Sequence, residues 1–171
     1  MSRVLLVNPP FYRLLNSHYN ANSLGIAYVA SYLNEHGHDA WLYNADFLNR
    51  NIFLNQKNLF EGFANYKKFF QDEENEIWKE CIQKIIAFGP DWVGYTSYTA
   101  NITAIDIISR KVRMQLPNVK QVIGGVHATL DPDILKKLKA IEISQELIKN
   151  KNFNTLSIID LRIKGKVITK S

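Results

Sequence analysis

The sequence predicts an α/β domain built on a doubly wound parallel sheet, and three observations predict it. Short apolar runs suited to buried strands alternate with segments of helical periodicity. Proline and glycine punctuation separates them at Asn8-Pro9-Pro10, Gly89-Pro90-Asp91 and Leu116-Pro117-Asn118. The fourth run ends in the paired glycines Gly124 and Gly125 at a strand-to-helix turn, the kind of edge where open α/β sheets bind ligands.

Arg3-Val4-Leu5-Leu6-Val7 reads as the first strand, closed by Asn8-Pro9-Pro10. A polar and aromatic loop over residues 8–22 leads into a helix with Leu24, Ala27, Tyr28, Ala30, Ser31 and Leu33 on one side. Ser23 is its expected N-cap and Gly37 its C-terminal stop. Residues 39–44 form the second strand and complete a βαβ unit, whose crossover is right-handed by rule.

Two helices are expected next. Residues 55–70 carry Leu59, Phe60, Phe63, Tyr66, Phe69 and Phe70, so many aromatics that the segment should pack over the sheet edge or a neighbouring domain, or close over a cofactor. Residues 75–88 carry Ile77, Trp78, Cys81, Ile82, Ile85 and Ile86 at helical spacing, with Cys81 as a small buried hydrophobe. Residues 92–97 make the third strand and run into a hydroxyl-rich turn over 96–103. A helix over 102–115 turns Ile105, Ile108, Val112 and Leu116 to the sheet and ends at Leu116-Pro117-Asn118, and residues 119–123 make the fourth strand. Asp131 and Pro132 supply an N-cap and a first helical position for a basic helix. A hairpin of 156–163 with 167–168 around Lys164-Gly165-Lys166 closes the sequence.

A chain of 171 residues with 46% apolar and 22% charged residues fits one globular domain with a real core. No apolar run approaches the about 20 residues of a membrane span, and Met1-Ser2-Arg3 runs straight into a strand without a signal-peptide pattern, which points to the cytoplasm. The net charge of +5 raises nucleic acid as a partner. Its distribution argues against one, because residues 131–171 hold nine Lys or Arg against five Asp or Glu, scattered with few aromatics, as on a solvated face. One cysteine excludes a disulfide framework or a multi-cysteine metal site within these residues.

Three segments fall on the carboxyl edge of the sheet: 8–22, 96–103 and 124–129. Asn8-Pro9-Pro10 stands where a dinucleotide site would need Gly-x-Gly-x-x-Gly, and no phosphate loop is present. His36 and His38 sit at a helix end, where the dipole favours positive charge. His18 and His127 reach the ligand edge without a carboxylate at fixed spacing, so no metal site is read from them. Ser97, Thr99 and Thr129 offer hydrogen bonds to ligand amides or phosphate, or else cap helices. No nucleophile with its base and orienter is visible, so no catalytic residue is assigned.

Taken in order, Asn8-Pro9-Pro10, residues 24–33 with Gly37-His38-Asp39, Pro90-Asp91-Trp92-Val93-Gly94, and Gly124-Gly125-Val126-His127-Ala128-Thr129 resemble the N-terminal cobalamin-binding domain of cobalamin-dependent radical S-adenosylmethionine enzymes. The resemblance covers residues 3–135 and implies a flavodoxin-like, Rossmann-like three-layer sandwich carrying cobalamin at its carboxyl edge. It implies Asn8, Pro9, Ser97, Thr99, Gly124, Gly125, His127, Ala128 and Thr129 as cofactor-binding residues. The Asp-x-His-x-x-Gly motif of cobalamin-dependent mutases and methionine synthase is absent after the first strand; His18 is followed by Tyr19-Asn20-Ala21. The resemblance therefore implies cobalamin held without a histidine lower ligand. Where family members usually carry another strand ending in a Gly-Glu-Gly-Glu-like turn, residues 140–146 look shortened.

The expected organisation is one domain over 1–171, with an α/β core over 1–140 and a helix and hairpin over 141–171 that are similar to the family's lead-in to its catalytic barrel. A single cysteine holds no four-iron cluster, so the radical S-adenosylmethionine catalytic domain is expected to be missing or on a separate chain. The rival reading is a degenerate flavodoxin-like domain that binds no corrin and serves as a protein-interaction module through residues 59–70. A flavodoxin-like protein for another nucleotide is disfavoured by the missing phosphate loop.

Overall fold

The computed structural model describes residues 1–17, 23–47, 56–130, 159–160 and 168–169. Four parallel strands, β1 (Arg3–Asn8), β2 (Asp39–Asn44), β3 (Trp92–Thr96) and β4 (Lys120–Gly124), form a sheet in the order β2-β1-β3-β4. The expected doubly wound, flavodoxin-like class is the one observed. Register runs from Arg3 opposite Asp39 to Asn8 opposite Asn44, and β1 meets β3 from Val4 opposite Trp92 to Val7 opposite Tyr95. Trp92 to Thr96 then lie opposite Lys120 to Gly124.

Buried parallel strands must be apolar on both faces, and Val4 to Val7 are all buried. Alternate residues serve two layers. Leu5, Val7, Val93, Tyr95 and Ile123 share a core with helix α3 (Glu76–Phe88) through Trp78, Cys81 and Ile85, and with α4 (Ile102–Gln115) through Ile105, Ile108 and Val112. Burial raises the Cys81 thiol to about 11, in keeping with its expected role as a packed hydrophobe. Tyr95 donates to Gln121 Oε1 at 2.8 Å and Gln121 Nε2 donates to the Ser109 carbonyl at 3.1 Å, which gives the Tyr95 hydroxyl and the Gln121 amide partners inside that layer.

The opposite face is thin: Val4, Leu6 and Ala40 pack with Ala30, Ile26, Val29 and Leu33 of α1 (Leu24–Glu35). Here the structure corrects the expected apolar side. Ile26, Val29, Ala30 and Leu33 follow the i, i+3, i+4, i+7 stripe onto the sheet, whereas Leu24 (69% exposed) and Tyr28 (76%) point outward with Ser31. Ser23 stands at the N-cap position but lends only its carbonyl to Ala27 N–H; Gly37, at φ +80°, stops the helix as expected.

The connection from β2 to β3 contains two helices where one would suffice. α3 makes the crossover, capped by the Asn75 side chain on Ile77 N–H and closed by Gly89 at φ +61°. The additional helix, α2 (Gln56–Gln71), packs against the 3-10 turn Tyr12–Leu15 after β1. Tyr66, Phe69 and Phe70 pack on the core as expected of the aromatic segment, while Phe60 (82%) and Phe63 (54%) remain exposed.

Val126–Leu130 forms a short helix, α5. The expected hairpin is present as β5 (Ile159–Asp160) antiparallel to β6 (Ile168–Thr169), with Ile159 opposite Thr169 and Asp160 opposite Ile168. His18, the Asp131-Pro132 cap, the basic helix after it, the shortened segment 140–146 and the Lys164-Gly165-Lys166 turn lie outside the described residues. Among the described residues no helix is long and apolar enough to cross a membrane.

Candidate cofactor site

Connections leave the sheet in opposite directions on the two sides of the β1/β3 boundary, and such a switch point leaves a crevice at the carboxyl ends of the strands. Asn44, Asn8, Thr96 and Gly124 end the four strands in one row. The described parts of the three sequence-assigned segments, 8–17, 96–103 and 124–129, therefore meet on one edge.

The β3 and β4 turns are stitched together through Ser97. Its N–H and its hydroxyl both donate to the Gly124 carbonyl at 2.8 Å, its carbonyl accepts from His127 N–H at 3.2 Å, and its Oγ accepts from Ala128 N–H at 3.2 Å. Ser97 and Ala128 are completely buried. Both expected ligand residues thus serve the turn's own architecture, and Ala128 presents neither its methyl group nor its amide to the edge. Thr129 Oγ1 donates back to the Gly125 carbonyl at 3.1 Å.

The two glycines divide their work. Gly125 sits at φ +98°, and a Cβ there would lie 2.8 Å and 2.9 Å from the Ser97 N and O and 3.1 Å from Thr96 Oγ1. Glycine is required at 125 by the turn itself, whatever its part in binding. At Gly124 a Cβ would meet nothing within 4 Å. Gly124 is the glycine beside open space.

His127 lies above this turn, its Nδ1 3.0 Å from Thr99 Oγ1. Its Nε2 is buried and has no hydrogen-bond partner. Asn101, which sequence reasoning missed, holds the β3 loop by donating to the Thr96 carbonyl at 3.2 Å and accepting from Tyr98 N–H at 2.8 Å. Its signal was an Asn immediately before an apolar helix.

Residues 13–145 match the B12 binding domain family, more than half of the chain. The chain belongs to the B12-binding domain family. No curated protein and no solved structure matches it. Family membership supports cobalamin binding. The residues present in the B12-binding domain fit such a group: open space faces Gly124, and the unpartnered His127 Nε2 awaits a polar atom.

The β1 side of the domain is closed by contacts of its own. Asn8 Nδ2 donates to Asn44 Oδ1 at 2.9 Å, and Pro9 and Pro10 are buried, so Asn8 and Pro9 join β1 to β2. Asp46, also missed, accepts from the N–H groups of Phe11 (2.6 Å) and Arg13 (2.8 Å) and shapes the 3-10 turn that buries Leu14 and Leu15. Burial raises its carboxyl above the ordinary range, opposed by the amides of Arg13, Phe11 and Tyr12. Arg13 pairs with Glu80, and that hydrogen bond holds the Glu80 carboxyl down at about 2. α2 then joins two edge loops, with Tyr66 donating to the Ala100 carbonyl at 2.7 Å and its ring edge-on to Phe11 at 5.8 Å. Among the described residues no cluster of three His, Cys, Asp or Glu side chains suits a metal ion, and no histidine stands on the described part of the β1 loop.

Proposed function

We propose that this B12-binding domain is the cobalamin-carrying unit of a radical S-adenosylmethionine type system, with the 1–140 core holding the cofactor and 141–171 leading toward a catalytic domain. The single observation that carries the placement of the cofactor is the open Gly124 edge next to a buried, unpartnered His127 Nε2. Gly124, Thr99 and His127 contact the corrinoid, Thr129 flanks it, and Ser97, Gly125 and Ala128 hold the turn rigid behind them. Bound cobalamin supplies a cobalt centre able to carry a methyl group.

The radical type is supported by the ordered set of residues that resembles that family and by the β1 loop. After β1 the sequence runs Asn8-Pro9-Pro10 and holds no Asp-x-His-x-x-Gly motif, which favours cobalamin bound without histidine ligation. Any iron–sulfur cluster of the system is held outside these residues, since their one cysteine is buried in α3.

Purified protein mixed with hydroxocobalamin should carry a corrin absorption band through gel filtration. A colourless protein peak at saturating cofactor overturns the reading. The exposed Phe60 and Phe63 favour the interaction-module alternative in that event. Spectra of bound cobalamin identical in wild type and a His18→Ala variant support ligation without histidine; loss of a ligation band in the variant refutes it.

A further inference from the structure

We propose that the outer face of α2 is the contact surface for a second copy of this chain, paired antiparallel about a twofold axis at Ala64. The pairing stands apart from the cofactor reading. One side of α2 is fixed to its own domain: Gly62 is buried against the Leu15 carbonyl, and Tyr66, Phe69 and Phe70 pack on the core. The other side carries Phe60, Phe63, Ala64, Lys67 and Lys68 at the i, i+3, i+4, i+7, i+8 spacing of a single helical face, with Glu61 along its margin. All six of these residues are exposed. Two phenylalanine rings left in water on a helix that already buries its opposite side mark a contact surface.

The charges on this face identify the partner. Every other Lys or Arg whose side chain is described has a partner, whether a carboxylate as for Arg13, Arg110 and Lys111, a carbonyl as for Arg113, or a ring as for Lys120. Among the described residues Lys67, Lys68 and Glu61 make no ion pair. The face thus has a free acidic end and a free basic end. A second copy turned about a twofold axis at Ala64 brings Glu61 of one helix opposite Lys67 and Lys68 of the other, twice over. Phe60 then lies along the lysine stems of the second copy, and Phe63 beside its Ala64, whose small side chain lets the helices approach. A parallel copy would set like charges against each other. Residues 131–171 of the same chain suit the basic end poorly, with nine Lys or Arg against five Asp or Glu. Four rings cover on the order of 500 Å² of apolar surface, less than the about 1,200 Å² of stable complexes, so the dimer is weak and its population rises with protein concentration.

Analytical ultracentrifugation of the intact chain over about 5–500 µM tests this. Wild type should pass from monomer toward dimer across that range. Phe60→Ala should weaken association about 10-fold. Glu61→Lys alone, and Lys67→Glu together with Lys68→Glu, should each weaken it about 3–30-fold, because each turns attraction into like-charge contact on both sides of the axis. One chain carrying all three reversals should regain wild-type association, and so should an equimolar mixture of the two reversed proteins. All these positions are exposed, so thermal melts of the dilute variants should match wild type. A wild type that stays monomeric throughout overturns the proposal. A dimer indifferent to Phe60→Ala overturns it by placing the contact elsewhere, and a triple reversal that associates as weakly as its parents overturns the antiparallel pairing.

Discussion

Gly124 and Gly125 are neighbours of identical chemistry, and the structure predicts opposite outcomes for the same substitution at each. An alanine at 125 must adopt φ near +98° and place its methyl group 2.8 Å and 2.9 Å from the Ser97 backbone. Left-handed backbone costs a residue with a Cβ about 1–2 kcal/mol. Forcing a methyl group into filled space adds about 1–3 kcal/mol, because Ser97 is held by the very hydrogen bonds that define the turn and cannot retreat. Gly125→Ala should therefore lose about 2–5 kcal/mol, a large part of the roughly 5–15 kcal/mol that typically holds a domain together. The melting temperature should fall by roughly 4–20 °C at about 2–4 °C per kcal/mol. Gly124→Ala meets nothing within 4 Å and should stay within about 1 kcal/mol of wild type. Thermal and urea denaturation followed by circular dichroism measure both. A Gly124→Leu variant that folds normally should lose hydroxocobalamin in gel filtration. Equal stability of wild type and Gly125→Ala, or unchanged cobalamin retention by Gly124→Leu, refutes this division between a structural glycine and an open one.

Ser97→Ala removes a hydroxyl that serves the Gly124 carbonyl and the Ala128 amide at once, and denaturant titration should show a loss of about 1–3 kcal/mol. Gly62→Ala drives a methyl group into the Leu15 carbonyl; the expected loss is about 1–3 kcal/mol, with α2 released first and cut earliest in limited proteolysis. Glu80→Gln tests the Arg13 pair by pH. The native carboxyl lies at about 2, below its ordinary 4.5, so the folded state binds fewer protons and the pair's stabilisation is present above pH 4.5 and lost as pH falls toward 2. Because Glu80 is 39% exposed, solvent screening holds the effect at pH 7 to about 1 kcal/mol or less, and the wild-type and variant stability curves should converge near pH 2.

The strands and the parallel α/β class were legible because parallel strands buried on both faces read as short unbroken apolar runs, and Val4 to Val7 is such a run; the order of the strands in the sheet was not read from the sequence. The face of α1 was misread because its helix carries two adjacent apolar stripes. Leu24 and Tyr28 satisfy helical spacing as well as Ile26 and Val29 do, and only the position of Val4 and Leu6 on the sheet selects the second stripe. The glycine turn was located correctly, but two glycines in sequence do not reveal which one takes positive φ. Asp46 was missed for a related reason: its partners Phe11 and Arg13 lie 35 and 33 residues away, and no local pattern announces a carboxylate that caps a distant turn.

The same long-range bonds bear on how the edge binds. Ser97, Asn101 and Thr129 spend their polar groups on backbone atoms of the β3 and β4 turns, and Asp46 does so on the β1 loop. Few polar groups on the described edge have to surrender an internal partner when a ligand arrives, and little loop ordering remains to be supplied by binding. Under the proposed cobalamin reading, specificity rests on the few features not consumed internally, chiefly the open direction at Gly124 and the unpartnered nitrogen of His127. A large cofactor can gain most of its affinity from shape and apolar contact on such a surface, with one or two polar contacts fixing its orientation. Substitutions that damage the turn should therefore act through folding, whereas those at Gly124 and His127 should act through ligand affinity at constant stability.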